Sequence, residues 1–118
     1  MRYIALIYSN EAADGAMDEA AQGEMFARYG AFTQEVQEKG YFHSGEPLQP
    51  TATATTVRVR DGKTQTTDGP FAETREQLGG FYILDCPSLD TAIEMAAKIP
   101  ASETGCIEVR PILEMPGM

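Results

Sequence analysis

Two short segments, Tyr3–Tyr8 (YIALIY) and Gly80–Cys86 (GFYILDC), carry apolar side chains at both odd and even positions. A strand buried on one face alternates apolar with polar residues, so a strand that is apolar on both needs a cover on both. The chain has little to cover them with. Its 118 residues are enough for one domain with a real core, residues 1–118, and contain two helical patterns. Two helices of that length cover one face of a sheet. The simplest cover for the other is a second copy of the chain, stacking the same patch on itself about a two-fold axis. At about 25 cal/mol per Å2 of apolar surface, leaving that face in water would forfeit many kcal/mol. A homodimer with its sheets facing is therefore expected.

The remaining elements follow from periodicity. From about Asp18 to Lys39, Met25, Tyr29, Phe32 and Val36 recur at helical spacing, and Gly40 supplies a C-terminal stop. Tyr41–Leu48 reads as a short irregular strand that Gly45 and Pro47 confine to an edge or a bulge. In TTVRVRDGKTQTT, Val57 and Val59 alternate with Arg58 and Arg60, and Asp61-Gly62 is the two-residue turn of a tight hairpin. Ser88 is an N-cap for a helix that places Leu89, Ala92, Ile93 and Ala96 on one face and stops at Pro100. A last strand, Gly105–Ile112, sets Ile107 and Val109 against Glu108 and Arg110. The order strand, helix, strand, hairpin, strand, helix, strand is the split βαβ, ferredoxin-like pattern of an α+β domain, an antiparallel sheet with two helices on one face and an added hairpin.

Composition excludes several functions. Eighteen acidic against nine basic residues give a formal net charge of −9, the wrong sign for holding phosphate backbones, so no direct nucleic-acid binding is expected. Cys86 and Cys106 form no C-x-x-C pair and read as buried free thiols in a reducing cytosol. MRYIALIYSN turns polar at Ser9, too early for a signal peptide, and no stretch reaches the roughly 20 apolar residues of a membrane helix. A soluble, cytoplasmic protein without membrane association is expected.

TVRVRDGK, then TDGPFAETREQLGGFYILD, then EVRP follow one another in this order, and with them the whole chain resembles the YCII-related family, specifically its DGPF subgroup. The resemblance implies a dimeric α/β barrel of ferredoxin-like units. It brings no established reaction: fold relatives include isomerases and dehalogenating enzymes for small ring compounds. Genes of the subgroup often lie beside those of extracytoplasmic-function sigma factors, which implies a sigma factor as a partner by association only. The better-known branch carries a histidine in the first helix and an aspartate after the second, proposed as an acid-base pair. Those positions align here with Tyr29 and Ile99, and neither keeps that chemistry. A phenol with an ordinary pKa near 10 is a weak base at neutral pH.

The candidate pocket residues are Tyr29, His43, Glu46, Arg58, Asp68, Glu73, Arg75 and Arg110; no catalytic residue is assigned. Asp68 cannot bond the amide two residues on, because Pro70 has none, so it either caps a turn through Phe71 and Ala72 or projects into a cleft with Glu73 while Arg75 holds an anion. His43, the sole histidine, is either a packed edge residue or a partner of Glu46. Arg58, Arg60, Glu108 and Arg110 alternate with valines and an isoleucine assigned to the helix side, so they face a dimer cavity or pair across it. One histidine and scattered carboxylates make no metal-ligand set, and Gly79-Gly80 enters a strand rather than opening a helix, so neither a metal nor a cofactor is expected. Two functions stay open. One is an enzyme or binding barrel for a small anionic or aromatic ligand in a cavity between sheet and helices; the other is a non-catalytic accessory or regulatory module.

Overall fold

The computed structural model describes residues 1–117. Strand β1 (Arg2–Ser9) lies at the centre of an antiparallel sheet, between β5 (Gln77–Asp85) and β6 (Cys106–Pro111), and β2 (Phe42–Pro47) extends it beyond β5. The order β2-β5-β1-β6 is that of the split βαβ fold. The two segments apolar on both parities are the two inner strands. Their odd-numbered and even-numbered positions part as alternation requires: Tyr3, Ala5 and Ile7 of β1 and Tyr82 and Leu84 of β5 are buried, while Ile4, Leu6, Phe81 and Ile83 are half-buried.

The buried side lies under α2 (Glu19–Glu38), which contributes Phe32 and Val36, and α3 (Leu89–Ala96), which contributes Ala92, Met95 and Ala96. Asp18 caps α2 by accepting from the Ala21 amide at 2.8 Å, and Ser88 caps α3 by accepting from the Thr91 amide at 3.2 Å. Each cap satisfies one of the amides that a helix start leaves without a partner, worth about 1 kcal/mol. The face expected for α3 needs correction. Leu89 and Ile93 are exposed and Met95 is buried instead, so the core-facing stripe is rotated toward Ala92, Met95 and Ala96.

On the other side the register builds two rows across the sheet: Ser44, Ile83, Ile4, Arg110 and Glu46, Phe81, Leu6, Glu108. Each row has two apolar residues in the middle and polar ones at both ends. No element among the described residues covers this face.

The hairpin forms as read, but apart from the main sheet. β3 (Thr55–Arg60) pairs with β4 (Lys63–Asp68) through Asp61 and Gly62, whose φ of 53° and 73° are the two positive values a tight two-residue turn requires. It is a separate two-stranded sheet, closed at its base by Gly69 donating its amide to the Ala54 carbonyl at 2.7 Å. Val57 and Val59 therefore do not turn toward the helices; they are 59% and 58% exposed, because the arm has no core beneath it. The arm also lengthens the molecule. Its radius of gyration is 16.3 Å, against about 13.5 Å for a compact domain of this length.

Three smaller features differ from expectation or add to it. A short helix α1 (Glu11–Gly15) follows β1, and single 3-10 turns stand at Thr51–Thr53 and Pro100–Glu103. Edge strand β2 is bulged at His43, where the pairing steps from Phe42 opposite Leu84 to Ser44 opposite Ile83. Cys86 is a buried free thiol but Cys106 is exposed, at the start of an edge strand, with its thiol directed at Glu76 Oε1 3.5 Å away. No helix among the described residues is long and apolar enough to cross a membrane.

Candidate functional site

A cavity of about 600 Å3 opens between the middle of α2 and the sheet. Its roof is Phe26, Tyr29 and Thr33, which fall on one face of α2 by their spacing of three and four. Its floor is Ile7 of β1, Tyr82 and Gly80 of β5 and Gly45 of β2, all on the helix-facing side of the sheet. Glycine is required at Gly45 for a steric reason: a Cβ there would stand 2.7 Å from Tyr82 Cδ1 and 3.0 Å from the Phe81 carbonyl oxygen. The side chain of Gly45 is absent where the Tyr82 ring lies.

The Tyr82 ring is fixed from three directions. It packs edge-on against Phe32 at 5.0 Å and Phe42 at 6.4 Å, and its hydroxyl lies 2.9 Å from Thr33 Oγ1. Thr33 Oγ1 already donates its single proton to the Tyr29 carbonyl at 2.9 Å. Tyr82 must then be the donor in the Tyr82–Thr33 bond.

The end wall is α1, and its local sequence explains why a five-residue helix holds. Asn10 caps it by accepting from the Ala13 amide at 2.8 Å, and the Asn10 side-chain amide reaches the Arg75 carbonyl at 3.3 Å. Gln77 accepts the Glu11 amide at 2.9 Å. The Glu11 carboxylate takes both the amide and the hydroxyl of Thr51, each at 2.8 Å, which ties the segment after β2 against the wall. Asp14, one turn on, accepts the Ser9 hydroxyl at 2.6 Å.

Tyr29 is half-buried, and burial is the main cause that pushes its phenol above the ordinary value. A backbone hydrogen bond from Ala101 opposes this, and Tyr82 and Asp14 add to the rise. The phenol is therefore a proton donor throughout the neutral range.

Of the residues singled out in the sequence, Tyr29 and Glu46 line the cavity. Glu46 does so from the edge strand, and its register opposite Phe81 puts its side chain on the face away from the helices. The others lie elsewhere. Asp68 ends β4 opposite Thr55, exposed; its carboxylate caps no turn, because the chain at Phe71 and Ala72 is an open bend rather than a helical turn. Glu73 and Arg75 are exposed in the loop that follows, and Arg75 meets the site only through its carbonyl. His43 is the exposed bulge residue and has no hydrogen bond to Glu46. Arg58 stands on the detached arm, and Arg110 pairs with Glu108 two residues away on its own strand, at the sheet's uncovered face. Ile99, aligned with the family's aspartate, is wholly buried.

Sequence reasoning missed Asp14, Glu11, Ser9 and Thr33. For α1 a signal was present: SNEAADG is a capping residue followed by helix formers and a glycine. Among the described residues, no group of three or more His, Cys, Asp or Glu is arranged to hold a metal ion.

The sheet order and the helices on one face make this an α+β protein of the ferredoxin-like class. A family model, the YCII-related domain, matches residues 1–116, and the chain belongs to that family. An uncharacterised protein of Rhizobium meliloti is 38% identical over 120 residues, spanning 99% of this chain and 97% of the relative. Among solved structures, 5-chloro-2-hydroxyhydroquinone dehydrochlorinase (TftG) from Burkholderia phenoliruptrix, in complex with 2,5-dihydroxybenzoquinone, superposes with a TM-score of 0.56 at 13% identity. That match covers 98% of this chain and 96% of the other. It shows a shared fold.

Proposed function

We propose that the protein binds, and acts on, a small ring-shaped organic molecule in the cavity between α2 and the sheet. The observation that carries this reading is the cavity itself. Its volume of about 600 Å3 falls among those of small-molecule sites, and its apolar wall bears a few convergent polar groups, the usual composition of such sites. The fold neighbour with a bound dihydroxybenzoquinone supports a ring compound as the ligand class. The Tyr29 hydroxyl, at the position aligned with the family's histidine, is the donor that would hold a ring oxygen.

A thermal-shift screen of neutral phenols and quinones tests this. At least one compound is expected to raise the melting temperature, and Tyr29→Phe is expected to remove most of that rise while costing the free protein little. A screen in which no compound stabilises the protein would contradict the reading and favour a non-catalytic accessory module.

The homodimer belongs to the same proposal. The apolar middle of the uncovered face, Ile4, Leu6, Phe81 and Ile83, is flanked on one side by Glu108 and Arg110 and on the other by Ser44 and Glu46, the apolar-core and polar-rim arrangement of an interface. A two-fold axis through it would stack the patch on itself. Light scattering across a dilution series should show a dimer throughout; a folded monomer at low micromolar concentration would exclude it.

A further inference from the structure

The hydrogen bonds around the cavity divide its polar groups into those committed within the protein and those left for a ligand. Both oxygens of Glu11 are occupied by Thr51. Thr33 gives its proton to the Tyr29 carbonyl, and Tyr82 gives its own to Thr33. Ser9 gives its proton to Asp14 Oδ2. With the Glu46 carboxylate turned to the other face of the sheet, two side-chain groups remain: Asp14 Oδ1, which accepts from nothing among the described residues, and the proton of the Tyr29 hydroxyl. No lysine, arginine or histidine is among the described residues that line the cavity, so nothing there balances the two carboxylates of α1.

We propose that the cavity selects an uncharged ring carrying a hydroxyl, whose proton Asp14 accepts through its free oxygen, and that it rejects carboxylates of the same size. The inference rests on the small-molecule reading above and narrows the ligand class, setting aside the anionic ligand that the sequence left open. A hydroxyl donating to an ionised carboxylate makes a charge-assisted bond, stronger than the neutral bond it replaces. A carboxylate ligand would instead bring a third negative charge beside Glu11 and Asp14 against a largely apolar wall, where repulsion is screened less than in water. It would also lose its hydration with only the Tyr29 hydroxyl to replace it. Asp14 is thus the residue that sets specificity, and Tyr29 holds a second oxygen of the ring.

Calorimetric titration with hydroquinone and with benzoate, probes of similar size and opposite character, tests the proposal. Hydroquinone is expected to bind the wild type at least about tenfold more tightly, a factor equal to about 1.4 kcal/mol. Asp14→Asn retains an acceptor for Ser9 and removes the charge, so it should weaken hydroquinone, strengthen benzoate and close most of that gap. Glu35→Gln removes one negative charge from the far part of α2, outside the cavity, and should leave the ratio unchanged; this separates a local effect from net charge. Benzoate binding the wild type as tightly as hydroquinone would overturn the proposal without any variant having to fold. An unchanged ratio in a folded Asp14→Asn protein would overturn it as well. If neither probe binds, the small-molecule reading beneath it fails too.

Discussion

Gly45→Ala offers a sharp test because its expected sign is opposite to the ordinary one. At an unstrained position, replacing glycine by alanine stabilises a protein by about 0.4–1 kcal/mol through the entropy of the unfolded chain. At Gly45 the new methyl would meet Tyr82 Cδ1 at 2.7 Å, the Phe81 carbonyl oxygen at 3.0 Å and Tyr82 Cε1 at 3.2 Å. Two of the three contacts are with a ring held by Phe32, Phe42 and Thr33, so the ring has to move and the Tyr82–Thr33 hydrogen bond has to lengthen or break. Overpacking of this kind costs about 1–3 kcal/mol. The lost hydrogen bond adds about 1 kcal/mol. The expected destabilisation is therefore about 2–4 kcal/mol.

The chain has no tryptophan, so urea unfolding is best followed by far-ultraviolet circular dichroism. The same substitution in a Tyr82→Leu background removes the ring contacts and leaves only the carbonyl one. There it should cost at least about 1 kcal/mol less, and the difference is the coupling between the two positions. A cost below about 0.5 kcal/mol in the wild type, or no coupling to Tyr82, would refute the steric account of the cavity floor.

Two further substitutions probe the wall and the surface. Glu11→Ala releases both bonds to Thr51 and should cost about 1–2 kcal/mol, with faster hydrogen exchange at the Thr51 amide than at the β1 amides; equal exchange would show that the tie does not hold that segment. Lys98 first, and Lys39 second, hold the Glu35 carboxyl below the ordinary carboxylate range. The stability from this pairing is therefore fully present above that range and is lost as pH falls through the lowered value. Comparing urea midpoints at about pH 7 and about pH 3, Glu35→Gln should lose less on acidification than the wild type does; an identical loss in both would show that the pairing contributes nothing.

The architecture was legible where one local pattern decides one element. The inner strands declare themselves by apolar residues on both parities, the hairpin by Asp61-Gly62 between alternating residues, and α3 by Ser88. The face of α3 was harder to read. Leu89, Ile93, Ala92 and Met95 are all apolar, so the sequence alone does not say which of them the packing buries.

The site was legible at Tyr29 and little beyond, because it is assembled from Ser9, Asp14, Thr33, Gly45 and Tyr82, residues brought together only by strand register and by α1. The polar loop TDGPFAETREQ is dense in charges, yet its ties to the site are the carbonyl of Arg75 and the uncharged side chain of Gln77. Density of charged residues in sequence marked exposure there. The cavity carboxylate Asp14 stands in a segment too short for helical periodicity to show.

The measurement that bears most directly on the small-molecule cavity is a nitrogen-15 correlation spectrum of the protein titrated with hydroquinone. The account predicts saturable shifts at the amides of Asp14, Tyr29, Thr33, Gly45 and Gly80, with the β3–β4 arm and the Asp68–Arg75 loop unmoved. Shifts concentrated on the arm, on that loop or on the Ile4–Phe81 face, with the cavity amides unmoved, would contradict it.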